Sequence, residues 1–236
     1  IAHGLAEHLD RYDELVAFLN EHHYNVVRFD QRCHGRSEGK RVFYSHVDEI
    51  IDDLDRIINY TKENYSGRVF LIGHSMGGLV SRSALFYGKQ NLYQWVHMVE
   101  NLVCIGSPHH GAVLERFGFI LQDKLGAFPF ISLIGQLINI HSNGILDLRH
   151  GSVRDDDWEH NNARIGFADD NRKPAPLPSH INTFLIAGTL EFEKLRNKAL
   201  SVIGDYLVSV ESALGEHQNP RFQLKLPETH KAVFYG

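Results

Sequence analysis

Two cysteines, Cys33 and Cys104, are all that 236 residues contain, which excludes a disulfide framework. Both read as free thiols, and with no secretory signal visible a cytoplasmic location is expected. No stretch is long enough to span a bilayer: the longest uncharged apolar run, Leu125–Ile140, has sixteen residues against the ~20 a transmembrane helix needs. There is no cluster of Lys and Arg, and the net charge is −5, so nucleic acid is excluded as a partner. Transient contact with a membrane surface is compatible with the sequence; oligomeric state is not legible in it. Sixteen histidines are present, but no His-Glu-x-x-His and no Cys-x-x-Cys accompanies them. The pairs His22-His23 and His109-His110 would diverge on a helix or strand. Neither a metal nor an organic cofactor is expected. The chain opens at Ile1 without a methionine and ends at Gly236, and reads as a fragment at both ends.

What is present is the ordinary material of one globular domain: 43% hydrophobic and 22% charged residues. Its most telling stretch is Leu71-Ile72-Gly73-His74-Ser75-Met76-Gly77-Gly78. An apolar strand over Arg68–Ile72 runs into Gly-x-Ser-x-Gly, and a helical segment, Leu79–Tyr87, follows at once. That order builds a nucleophile elbow, in which a serine hydroxyl stands on a strained turn above the end of a sheet. Side chains at Gly73 or Gly77 would strike the neighbouring strand or helix. The helix starting after Ser75 turns its backbone N–H groups toward developing negative charge.

Around this element strands and helices alternate. Tyr12, Leu15, Val16, Phe18 and Leu19 share one helical face of Arg11–His22, and Val26-Val27-Arg28-Phe29 reads as a strand ending at Asp30. Val47, Ile50, Ile51, Leu54, Ile57, Ile58 and Thr61 follow the i, i+3, i+4, i+7 pattern of a long amphipathic helix. Asn101–Ile105, Ile181–Ala187 and Lys231–Tyr235 have strand character. The alternation predicts an α/β fold with a mostly parallel, doubly wound sheet and functional groups at the carboxyl ends of its strands. Residues 112–180 break the rhythm and are expected to form a cap or lid inserted in the single domain 1–236. Leu125–Ile140 within them suits either a lid helix facing a substrate cleft or a pair of core-facing helices. Asp155-Asp156-Asp157 reads as a solvated acidic loop, since ligands at EF-hand spacing are missing.

A nucleophilic serine needs a base, and the base an orienting carboxylate. In this architecture the chain order is Ser, acid, His. Asp205, in the turn of Ile203-Gly204-Asp205-Tyr206, is the expected acid, ahead of Glu191 and Glu193 in a charge-mixed segment. His230 is the one histidine near the end that could serve as base, yet it precedes the last strand and so falls at its amino end. The alternative is a histidine beyond Gly236. His217 reads as a surface residue. For the oxyanion hole the expected donors are the backbone N–H groups of Met76 and Leu5. His3, Gly4 and His74 are expected at the substrate side of the site, His3 as a loop-shaping residue more than a proton carrier.

With these residues in hand, the chain resembles the α/β-hydrolase superfamily over nearly its whole length. His3-Gly4-Leu5-Ala6-Glu7-His8, Arg11-Tyr12 and Asp30-Gln31-Arg32-Cys33-His34-Gly35-Arg36-Ser37 are similar to the opening of monoacylglycerol lipases and related esterases. Gly73-His74-Ser75-Met76-Gly77-Gly78 is similar to their nucleophile motif. Cys33 departs from a glycine common in that pattern. The second half is similar to bacterial hydrolases related to the inositol deacylases of glycolipid anchors, through Gly106-Ser107-Pro108-His109-His110-Gly111, Asp147-Leu148-Arg149-His150-Gly151 and Gly204-Asp205-Tyr206-Leu207-Val208. In that group an Asn-His pair follows a Tyr-Gly like Tyr235-Gly236, which implies a base past this point. The resemblance implies a serine carboxylic-ester hydrolase working through an acyl-enzyme on an apolar or lipid-like ester. An acyltransferase, or a non-catalytic binding module on the same fold, are the alternatives.

Overall fold

The computed structural model describes residues 1–43, 45, 48–111, 151, 153–154, 157, 173–189 and 208–235. Among these residues four parallel strands form one sheet in the order β1-β2-β3-β4, with β1 Val69–His74, β2 Val99–Ile105, β3 Asn182–Thr189 and β4 Thr229–Tyr235. This is the fold of the α/β-hydrolases. α1 (Asp13–Glu21) follows a 3-10 turn at Leu9–Tyr12, α2 spans Asp48–Asn64, α3 Met76–Gln90, and the short α4 Val210–Ala213. Parallel strands need crossovers, and α3 supplies the one between β1 and β2, packed on both. Among the described residues no helix is long and apolar enough to cross a membrane.

The period-2 alternation of strands decides which face is dry. Leu71, Leu102, Cys104, Thr183 and Leu185 are buried and in phase across the register Leu71–Leu102–Thr183 and Gly73–Cys104–Leu185. The face is that of α3, since Gly78 of α3 lies against Cys104 Sγ. From α3, Leu79, Val80, Ala84, Leu85 and Phe86 enter this core, and α2 adds Ile50, Ile51, Leu54 and Ile58 at the helical spacing read from the sequence. Each fully buried Leu of this kind contributes roughly 1.5–3 kcal/mol. Cys104 is buried there, and burial pushes its thiol up to about 12, so it stays protonated and inert.

Two expectations differ from what is observed. Val26–Phe29 joins no ladder among the described residues. The Ile1 amino group donates to Val27 O at 2.7 Å. Arg28 Nη1 donates to Leu9 O at 2.9 Å, and Gln31 N–H to His3 Nε2 at 2.9 Å. Asp155 and Asp156 lie outside the described residues, but the third member of that acidic stretch is not solvated. Asp157 is buried, and its carboxylate accepts the N–H groups of Val153 (3.3 Å), Arg154 (3.2 Å) and Lys173 (2.9 Å). A carboxylate this well occupied by amides is a loop clamp, not a cation site. Residues 112–150, with the apolar run Leu125–Ile140, lie outside the described residues.

Candidate active site

The strand β1 delivers its last residue, His74, to the carboxyl edge of the sheet, and α3 begins two residues later. The single residue between them turns the chain, and it is Ser75, at φ 50° and ψ −123°. A non-glycine side chain there costs on the order of 1–3 kcal/mol, so the surroundings must hold it. They do so by close backbone approach. Ser75 N–H donates to Ile105 O of β2 at 2.8 Å. A Cβ on Gly73 would sit 2.5 Å from Gly78 N, and one on Gly77 would sit 2.1 Å from Ala2 O. Both glycines of the motif are therefore sterically required, against the helix in one case and the first residues of the chain in the other.

Those first residues form the second wall. Ala2 pairs in parallel with Gly73 (Ala2 N–H to Ile72 O 2.8 Å, His74 N–H to Ala2 O 3.0 Å), which carries His3-Gly4-Leu5 to the same edge as Ser75. Gly4 faces Ser75 so closely that a Cβ would lie 3.0 Å from Ser75 Cβ. His3 is buried, and both ring nitrogens are spent on backbone: Nδ1 donates to Gly4 O (2.7 Å) and Nε2 accepts from Gln31 N–H (2.9 Å). Burial lowers its pKa, in keeping with that neutral tautomer. His3 thus shapes the loop and offers nothing to a substrate, which corrects its assignment to the substrate side. The Gln31 side-chain amide closes the same joint on His3 O. Met76 N–H is the first of α3 and has no carbonyl one helical turn back to bond.

A carboxylate that sequence reasoning gave no role binds these walls together. Glu7 Oε2 accepts from Gly4 N–H (2.7 Å), Tyr12 OH (2.6 Å) and His74 Nδ1 (2.9 Å), while Arg11 Nε lies 3.1 Å from Oε1. Burial by itself would raise Glu7, but the hydrogen bond and charge of His74, then Tyr12 and the Gly4 amide, bring it down to about 2. Tyr12 is driven the other way by burial and by its bond to Glu7, and stays a phenol. The signal available in the sequence was a lone carboxylate two residues beyond the expected oxyanion loop. His74 is turned to Glu7 and is 22% exposed at the side chain, so it sits at the rim of the site.

The loop after β2 completes the edge. Gly106, Ser107, Pro108, His109 and Gly111 are buried, and Gly78 lies so near that a Cβ would meet Ser107 Oγ at 1.9 Å. Arg82 of α3 donates to His109 Nδ1 at 3.0 Å, whereas the His110 ring turns to His217, with centroids 5.1 Å apart. The rings of His109 and His110 do diverge, and His217 lies at the surface, half-buried against His110 and Phe222.

His230 is not brought to Ser75. It is the second residue of β4, in register with Phe184, Val103 and Ile72, and its ring stacks on Phe184 at 4.8 Å. Three strands across and three residues upstream place it about 17 Å from Ser75, at ~4.8 Å per strand and ~3.3 Å per residue. A base must reach the hydroxyl within hydrogen-bond distance, so the assignment of His230 as base is corrected. The carboxyl end of β4, at Tyr235, runs three residues past the row of His74. Asp205, Glu191 and Glu193 lie outside the described residues.

Cys33 sits at φ 64°, the left-handed conformation that a glycine would take without strain. Its loop is held instead by Asp30, whose carboxylate accepts Leu9 N–H and Arg36 N–H at 2.8 Å each. The departure from the family's glycine therefore leaves the turn in place.

Known proteins agree with this geometry. The family model described as Hydrolase_4, serine aminopeptidase S33, matches residues 1–107. Rat (Rattus norvegicus) monoglyceride lipase is 40% identical over 82 residues, 34% of this chain and 27% of that protein. The chain thus matches about a quarter of that relative's length. The monoglyceride lipase homolog of Monkeypox virus is 25% identical over 98% of this chain and 79% of its own. Among solved structures, an esterase of Pyrococcus furiosus superposes with a TM-score of 0.53 at 22% identity, over 99% of this chain and 70% of its own. With its parallel sheet, its strand-turn-helix elbow and these matches, the chain has the α/β-hydrolase fold.

Proposed function

We propose that this chain is a serine carboxylic-ester hydrolase that acts on an apolar or lipid-like acyl ester. The observation that carries the reading is the conformation of Ser75, a strained residue at the tip of β1 with the first N–H of a fifteen-residue helix behind it and the Gly4 backbone before it. Strain of this kind persists where the surroundings impose it, and here they present one hydroxyl to the carboxyl edge of the sheet. In the proposed mechanism Ser75 Oγ attacks the ester carbonyl as its proton passes to a histidine base. The N–H groups of Met76 and Leu5 receive the oxyanion, the alcohol leaves with the proton, and water releases the acyl group by the same steps. Asp205 orients the base, which the chain order of this fold puts after β4. His74 and the Gly4 backbone border the acyl site. The apolar run Leu125–Ile140 and the lipases among the relatives support the acyl preference.

A fluorophosphonate probe tests the nucleophile: rapid labelling that Ser75→Ala abolishes is expected, and labelling that survives the substitution overturns the reading. A series of p-nitrophenyl esters tests the acyl preference, with kcat/KM rising from acetate to longer chains. Equal rates along the series remove the lipid-like substrate. Added alcohol that captures most of the acyl group in place of water assigns the chain to acyl transfer.

A further inference from the structure

The backbone polar groups of the loop opposite Ser75 are bonded one after another until Leu5. The His3 carbonyl accepts the Gln31 side-chain amide, and the Gly4 N–H donates to Glu7 Oε2 at 2.7 Å. The Gly4 carbonyl accepts His3 Nδ1–H at 2.7 Å, with the Glu7 N–H a longer 3.4 Å away. The next group in line is the Leu5 N–H. It has no hydrogen-bond partner among the described residues.

The bond at the Gly4 carbonyl reaches further than its own atoms. The peptide unit joining Gly4 to Leu5 is planar and trans, so its C=O and N–H point opposite ways. A donor that fixes this carbonyl therefore fixes the direction of the Leu5 N–H. The donor is the His3 ring, and its surroundings leave it one tautomer. Nε2 faces the Gln31 N–H at 2.9 Å and must accept, which puts the hydrogen on Nδ1. The ring is fully buried and has no solvent to turn into. A Cβ on Gly4 would lie 3.0 Å from Ser75 Cβ, so a rotation of this peptide is felt directly at the serine.

We propose that His3 is a positioning residue of the oxyanion hole, whose Nδ1–H holds the Gly4 carbonyl and so points the Leu5 N–H at the oxygen of the ester under attack. The inference rests on Ser75 as nucleophile and on Leu5 as an oxyanion donor. Gln31 keeps the ring in the tautomer that performs this task. A donor aimed at developing charge acts mainly in the transition state, so its misalignment lowers kcat and leaves KM in place.

The two ring nitrogens are separable by substitution. Counted in bonds from Cβ, the amide nitrogen of Asn stands where Nδ1 stands, and the terminal amide of Gln where Nε2 stands. His3→Asn thus keeps the donor to the Gly4 carbonyl and loses the acceptor for Gln31 N–H, and His3→Gln does the reverse. Both are compared with wild type and Ser75→Ala on one ester, in the complete protein. In H3Q, kcat is expected to fall between about ten- and a hundredfold with KM nearly unchanged, and H3N should restore most of that loss. Melting temperatures should rank the other way. H3N strands a buried N–H, whereas H3Q leaves the Gly4 carbonyl within reach of the Glu7 N–H.

A role in folding alone would make activity follow melting temperature. A kcat in H3Q at or above that of H3N, or a loss in H3Q carried by KM, overturns the proposal. If H3N fails to fold, H3Q carries the test: wild-type kcat overturns the proposal, and a reduced kcat at wild-type KM and Tm supports it. S75A separates this inference from the reading beneath it. Activity that survives in S75A removes the nucleophile itself, whereas an inactive S75A with a fully active H3Q removes only the role of His3.

Discussion

His74 and Glu7, 67 residues apart in the chain, meet at 2.9 Å, Nδ1 to Oε2. The same oxygen holds the amide of Gly4, so one carboxylate ties the residue before the nucleophile to the loop that carries the Leu5 N–H. The oxyanion donors of the proposed mechanism would come from two separate segments, and Glu7 is a direct bond between those segments.

Replacing Glu7 with Gln keeps an acceptor for one donor but removes the charge and strands the others. Leaving a buried donor unsatisfied costs about 1–3 kcal/mol, so E7Q should melt measurably lower than wild type. Activity should fall in kcat by about tenfold, less than the hundred- to thousandfold of losing an oxyanion donor outright. The folded-state pKa of about 2 lies below the ordinary 4.5, so the stabilisation is complete above pH ~4.5 and fades only as pH drops toward 2. The difference in melting temperature between wild type and E7Q is therefore expected to be present at pH 5 and to narrow as pH falls toward 2. A difference already absent at pH 5 would mean that Glu7 is not held in its charged form by His74, Tyr12 and Gly4.

Ser75 stores strain that glycine would not. At φ 50° and ψ −123°, a residue with a Cβ costs about 1–3 kcal/mol, against roughly 0.5–1 kcal/mol of extra chain entropy for glycine. Ser75→Gly should raise stability by about 1 kcal/mol, or ~2–4 °C in Tm for a domain of this size, while abolishing fluorophosphonate labelling. Ser75→Ala keeps the Cβ and should gain nothing. A melting temperature for S75G below that of S75A would show that the turn is not under the strain its angles indicate.

The elbow was readable because all its determinants lie within twenty consecutive residues, Arg68–Tyr87: an apolar strand, glycines at fixed spacing and a helical run. The position of His230 was readable too, since a residue opening the last parallel strand falls at the amino edge whatever its neighbours are. Glu7 was not, because its partners Gly4, Tyr12 and His74 come from a loop, a 3-10 turn and a distant strand, and no periodicity links them. Val26–Phe29 misled for a related reason. Its composition is that of a strand, but the Val27 carbonyl takes the Ile1 amino group and the Arg28 side chain goes to Leu9 O, neither bond being part of a ladder among the described residues. Asp157 followed the same pattern, an acidic run by composition and a buried clamp by contact.

His3 and His34 give the fold a sensitivity to acid. Their rings lie 5.2 Å apart, both are buried, and desolvation lowers both pKa values below the usual 6.5. The unfolded chain takes up protons near pH 6.5 that the folded one refuses, so stability is full above about pH 7 and declines as pH falls through that value. His3 Nε2 must stay unprotonated to accept Gln31 N–H, which makes the joint behind the Ser75 wall the part at risk. Wild-type Tm should form a plateau from pH 7 to 8 and drop steadily toward pH 5. His3→Gln, whose amide oxygen can accept from Gln31 N–H but takes no proton, should show a shallower decline. An equal slope in the two proteins, or a wild-type Tm that is flat to pH 5, would mean that these rings are not kept neutral by the fold.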